Sequence, residues 1–174
     1  MPSITATGKG LVMSGNSRLE GKRILLVDDE PDVLESLADL LPMCELSKAT
    51  SFEEARDLLE SQPFDIAVLD IMGVAGYDLL ELANKRGVTA VMLTARAISP
   101  GDIKKSFKGG AASYVPKDKM LHIAEFLEDI LEAKEKGRHP WSRWFEKMGD
   151  FCEKRFGKDW QKGDKEFWDK MPFY

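Results

Sequence analysis

ILLVDDE, residues 24–30, and IAVLD, residues 66–70, decide the fold: each is a short apolar run that ends in acid. Four or five consecutive apolar residues suit a strand buried on both faces, the kind found inside parallel sheets. Working outward, similar short runs recur at Leu46–Ala49, Ala90–Leu93 and Ser113–Val115, with the first run spanning Arg23–Val27 and the second Asp65–Leu69. Between them lie helical patterns at Pro31–Leu41, Phe52–Ser61, Tyr77–Lys85, Gly101–Lys108 and Lys119–Lys136. Pro31 suits the first turn of a helix, where its missing N–H is not needed, and Pro42 cannot continue that helix. Ser51 with Glu54 three residues on is a capping-box pattern. Strands alternating with helices predict βαβ crossovers, hence an α/β domain with a doubly wound parallel sheet and helices on both faces.

In an open parallel sheet, functional groups gather beyond the carboxyl ends of the strands. Asp28, Asp29 and Asp70 are therefore expected to converge. An Asp after a strand is often only a turn former or helix cap. Here, however, two later strands end in Thr94 (VMLTA) and Lys117 (SYVPKD), so an acid pair, an acid, a hydroxyl and a lysine follow in order. Clustered carboxylates resist joint ionisation, and a divalent cation relieves the conflict; oxygen ligands of this kind suit Mg²⁺. The chemistry open to such a set is phosphoryl transfer to a carboxylate, with Asp70 as nucleophile. Lys117 would pair with a phosphoryl oxygen, and Thr94 would hydrogen-bond the modified side chain. Ala95 leaves room beside it.

With these residues in view, the chain resembles the response-regulator receiver family across roughly residues 21–136. The resemblance rests on VDDE, VLDIM, LTA and YVPK. It implies a flavodoxin-like sheet of five strands in the order 2-1-3-4-5. It also implies that Asp28 and Asp29 organise Mg²⁺, that Asp70 takes phosphate from a sensor histidine kinase or phosphotransfer protein, and that Met72 gives a backbone carbonyl to the metal. Thr94 becomes the switch hydroxyl and Tyr114 the switch aromatic, although an aromatic in a short strand is often plain packing. The loop after the acceptor, IMGVAGYD, departs from the family pattern: it is about two residues shorter and lacks a proline. Gly73 and Gly76 are expected to let it turn.

The whole chain has 174 residues, a formal charge of -5 and 43% hydrophobic residues, which fits one ordinary domain plus an appendage. The acidic balance disfavours DNA as a partner, and no apolar run reaches the roughly 20 residues that cross a bilayer. Cys44 and Cys152 fit no metal-ligand spacing. A cytoplasmic protein with reduced thiols is expected. Residues 1–20 read as a flexible Gly/Ser/Thr-rich leader, residues 21–136 as the receiver domain, and residues 137–174 as an aromatic-rich helical tail.

That tail holds ten of the sixteen aromatic residues and all four tryptophans. From a start at Pro140, Trp141, Trp144, Phe145, Met148, Cys152 and Phe156 share a helical face, and Gly157 offers a stop. After Trp160, a second short helix over Asp164–Met171 sets Phe167 and Trp168 on one side. Thirty-eight residues cannot close a core of their own. The stripe must bury itself against its own receiver, a second protomer in a homodimer, or a downstream protein. Nine Lys and Arg against seven Asp and Glu make a membrane surface a poor fit.

Two functions follow for the tail. It is either a partner-binding element whose exposure depends on Asp70, or a passive extension of a phosphate sink or shuttle. A receiver-fold scaffold that takes no phosphate is a third reading for the whole chain. A phosphatase with an Asp nucleophile would want a second acid two residues on, where Met72 stands. An enzyme is therefore not expected beyond Mg²⁺-dependent self-phosphorylation and slow self-dephosphorylation.

Overall fold

The computed structural model describes residues 18–95 and 98–170. Five parallel strands form one sheet: β1 (Arg23–Val27), β2 (Glu45–Ala49), β3 (Ile66–Asp70), β4 (Thr89–Thr94) and β5 (Ser113–Pro116). Their order is β2-β1-β3-β4-β5. The doubly wound 2-1-3-4-5 arrangement is thus present as expected. In the register, Val27 lies beside Leu69 and Asp70 beside Leu93, so β1, β3 and β4 reach the same edge together.

Burial follows the sequence pattern. All five residues of β3 are buried, as are Ile24 to Val27 of β1, because helices cover both faces of the central strands. At the sheet edge, β2 buries only Ala49 fully. The helices are α1 (Pro31–Leu40), α2 (Phe52–Ser61), α3 (Gly76–Lys85), α4 (Pro100–Lys108) and α5 (Ile123–Glu135). Helix α1 packs beside α5, and α2 beside α3.

The cap at Ser51 forms: its Oγ accepts from Glu54 N at 3.2 Å. The return bond goes one residue further back than a capping box requires, since Glu54 Oε1 accepts from Thr50 N at 2.8 Å. Helix α4 has a comparable cap, in which Ser99 Oγ accepts from Asp102 N at 3.1 Å and Pro100 fills the first turn.

Two helical stretches begin as 3₁₀ segments where the sequence pattern reads α-helix. Lys117–His122 is a 3₁₀ segment, and α5 begins only at Ile123. None of those six residues is buried, so no apolar stripe registers an α-helix there. Pro140–Arg143 is likewise a 3₁₀ turn, followed by α6 (Trp144–Phe156), which Gly157 ends at φ +92°. A last 3₁₀ turn (Lys162–Asp164) leads into α7 (Lys165–Lys170).

Most of the leader lies outside the described residues. Leu19, near its end, is fully buried, and Arg18 pairs with Glu128 at 3.2 Å and Glu135 at 2.8 Å. Met171 also lies outside. Among the described residues, no helix is long and apolar enough to cross a membrane.

Candidate functional site

Strand ends bring the acids together. Carboxylate oxygens of Asp28, Asp29 and Asp70 all lie within 4.8 Å of one another. Asp28 is fully buried, Asp70 is nearly so and Asp29 is exposed. Asp28 Oδ1 accepts a hydrogen bond from Glu30 N at 2.9 Å, which fixes the turn leaving β1.

Lys117 follows directly on β5 and points into this group. Its Nζ lies 2.7 Å from Asp28 Oδ2, 3.2 Å from Glu30 Oε1 and 3.8 Å from Asp70 Oδ1. Burial works against the Lys117 charge, but the hydrogen bond to Asp28, the charges of Asp70 and Asp28 and the bond to Glu30 outweigh it. The amine is held above its ordinary range. Asp70 moves upward too, to about 6, chiefly through burial and the neighbouring Asp28. Lys117 pulls it back, while Asp29 and Glu30 push it further up. The cluster therefore retains a charge conflict that one lysine does not resolve.

Thr94, the last residue of β4, is buried beside these groups. A pocket of about 270 Å³ is lined by Asp29, Glu30, Asp70, Met72, Gly73, Thr94, Ala95 and Lys117. The Met72 side chain is 54% exposed there. Three hard carboxylates in this spacing suit Mg²⁺, and Asp28, Asp29 and Asp70 are the residues that would hold it.

The short loop after Asp70 works by close approach more than by flexibility. A Cβ on Gly76 would fall 2.2 Å from the Asp70 carbonyl oxygen, and one on Gly73 would fall 2.4 Å from Asp29 Oδ2. Between them Ala75 adopts φ 56° and ψ 54°, a left-handed conformation at the N-cap of α3. The loop backbone thus lies directly against the acids.

Tyr114, in β5, is fully buried, and it is covered by the tail. Trp144 Nε1 donates to the Tyr114 carbonyl at 2.8 Å, and Trp141 Nε1 donates to that of Ala111 at 2.8 Å. Trp141, Trp144, Met148 and Trp168 are buried, with Phe145, Phe156, Trp160 and Phe167 packed partly buried around them. The aromatic face read as partner-binding is therefore spent on the chain's own α4, β5 and α5. Phe107 of α4 meets Trp141 and Phe167 edge-on, with ring centroids 5.6 and 5.7 Å apart. Lys147 of α6 lies 3.3 Å from Asp129 of α5, and Lys104 of α4 pairs with Asp164. His139 stacks on Phe107 at 5.2 Å and caps Pro140–Arg143, a packing role. Burial pushes the thiols of Cys44 and Cys152 up to about 11 and about 12, so neither is poised as a nucleophile.

Sequence reasoning placed Asp28, Asp29, Asp70, Thr94 and Lys117 in one site, and the structure brings them together. It missed Glu30, the third acid of VDDE, as a lysine partner. It also missed Phe151 and Arg155 of α6. These line a small cavity of about 40 Å³ with Thr94, Ala95 and Lys117.

The model of the response regulator receiver domain matches residues 24–129. Over 99 residues the chain is 41% identical to the heme response regulator HssR of Staphylococcus aureus (strain Newman). That stretch is 53% of this chain and 43% of HssR, so the chain spans less than half of that relative. A CheY-like receiver domain protein from Methanospirillum hungatei JF-1 superposes with a TM-score of 0.61 at 30% identity, covering 68% of this chain and 99% of that one. A response regulator from Thermotoga maritima gives 0.59 at 19% identity over 64% and 98%, which is likeness of fold.

Proposed function

The chain belongs to the response regulator receiver family, and on that premise we propose that it accepts a phosphoryl group on Asp70 from a sensor histidine kinase or phosphotransfer protein in the cytoplasm. The carrying observation is the convergence of Asp28, Asp29, Asp70, Thr94 and Lys117 on one edge of the sheet.

An ionised Asp70 oxygen attacks phosphorus in line. The new bond is an acyl phosphate, and the bond to the donor breaks with its electron pair leaving on the donor. Mg²⁺, when bound, offsets charge on the transferring oxygens. Asp28 and Asp29 would hold it, with Met72 offering a backbone carbonyl. Lys117 now divides its charge among Asp28, Glu30 and Asp70. It gains a stronger partner once the phosphoryl oxygens arrive. Thr94 donates its hydroxyl to one of those oxygens. Self-dephosphorylation is the same bond opened by water.

Incubation with acetyl phosphate and Mg²⁺, followed by intact mass, tests this. One added phosphoryl group is expected on the wild type and none on Asp70→Asn or without Mg²⁺. No adduct on a wild type that binds Mg²⁺ would sink the proposal and favour a scaffold. The buried tail keeps a second reading in play, a single-domain shuttle or sink whose tail is structural.

A further inference from the structure

The C-terminal end of α6 reaches the back of the acceptor site. Thr94, Ala95 and Lys117 line the acidic pocket on one side and the 40 Å³ cavity on the other. Phe151 and Arg155, one helical turn apart on α6, form part of that cavity's wall. Arg155 lies with its guanidinium over the Phe151 ring, 5.0 Å from the centroid, and pairs with Asp118 at 3.0 Å. Asp118 is the residue after Lys117, so a single step of chain separates the cation held by the site from the anion held by the tail.

We infer that α6 is the site's own phosphoryl-sensing element: Arg155, across the wall made by Thr94 and Lys117, makes tail docking and occupation of Asp70 reinforce each other. This rests on the acceptor role given to Asp70 above. The sign comes from charge and packing. The acyl phosphate carries close to two negative charges at neutral pH where the ionised carboxylate carried one, a net gain of about one, and the α6 groups on the cavity wall are a cation and the ring beneath it. A Thr94 hydroxyl drawn toward the phosphoryl group moves a wall of the cavity that Phe151 also lines, so docked α6 meets a different surface in each state. Trp141 on Ala111 just before β5 and Trp144 on Tyr114 of β5 anchor the N-terminal side of α6 and hold it in place whether or not Arg155 engages. The tail therefore tightens over a face it already covers. By linkage, whatever factor occupation adds to docking, docking adds to occupation.

Mg²⁺ with beryllium fluoride, an equilibrium mimic of the phosphoryl group, tests this on the full chain. Backbone hydrogen exchange over 144–156 should slow by about fivefold, at the low end of coupling energies because Arg155 is exposed. Arg155→Gln, at a side chain 42% exposed, should fold normally. It should lose that slowing and bind the mimic more weakly by a similar factor. Lys154→Gln removes a neighbouring cation that does not line the cavity, and should change neither. If the mimic binds and exchange over 144–156 stays the same or speeds up, or if Lys154→Gln matches Arg155→Gln, the inference is overturned while the acceptor role stands. If neither mimic nor acetyl phosphate modifies the wild type, the acceptor role falls and the inference with it.

Discussion

Asp70 carries an electrostatic cost in the acid cluster, and that cost has a pH signature. Folding raises its pKa from 3.8 to about 6, so the native chain binds a proton that the unfolded chain has released. Well below pH 4 both states are protonated and no penalty is felt. As pH climbs from about 4 toward 7, the native state loses up to about 3 kcal/mol of stability through this group, and the loss is then constant. In chelator, urea unfolding of Asp70→Asn against wild type should show a stability difference that grows over that window. Saturating Mg²⁺ should shrink it. A difference independent of pH would mean that Asp70 is not the burdened acid. The neighbouring loop supplies a second outcome at this scale. Ala75→Gly should stabilise the chain by about 1 kcal/mol by relieving a left-handed alanine. Gly76→Ala should cost at least 1–3 kcal/mol and slow phosphorylation, since its methyl meets the Asp70 carbonyl. The acceptor cluster was legible because each member ends a strand. Glu30 and Arg155 were not, because their significance lies in contacts with Lys117 and Asp118, residues 87 and 37 positions away.

Strands were legible in the sequence because apolar runs, punctuated by Pro, Gly and Ser, leave little freedom in where they begin and end. Helix starts were less so. Lys119–His122 carries a helical composition, yet without a buried face it settles into a 3₁₀ segment. Ser99-Pro100 with Asp102 was a readable cap that sets α4 one residue earlier than Gly101. The β5–tail joint is the element-scale contact most open to testing. Trp144→Ala empties a buried site and should cost about 3–5 kcal/mol in urea unfolding. Trp144→Phe keeps most of the ring volume but removes the indole N–H bond to the Tyr114 carbonyl, so a loss of about 0.5–1.5 kcal/mol is expected. If both variants unfold like wild type, the indole does not anchor the tail.

At the scale of the whole molecule, composition showed that the tail needed a surface but could not say whose. An aromatic stripe specifies burial, whereas choosing α4, β5 and α5 depends on shape and on where carbonyls such as those of Ala111 and Tyr114 can accept an indole N–H. Charges around the seam, Lys147 with Asp129 and Arg155 with Asp118, are partly or fully solvent-facing pairs that contribute little each. Raising salt to about 0.5 M should therefore leave the docked tail in place, seen as unchanged protease resistance after Gly137, while it weakens the Arg155 response. A tail released by salt alone would shift the weight from indoles to ion pairs.

All four tryptophans stand in the tail, and none in the sheet or its five flanking helices. Indole emission from this protein therefore has one origin. A change in its wavelength or polarisation reads the seam over β5 directly, without an attached dye, and the sheet behind it stays optically silent at the red edge of excitation.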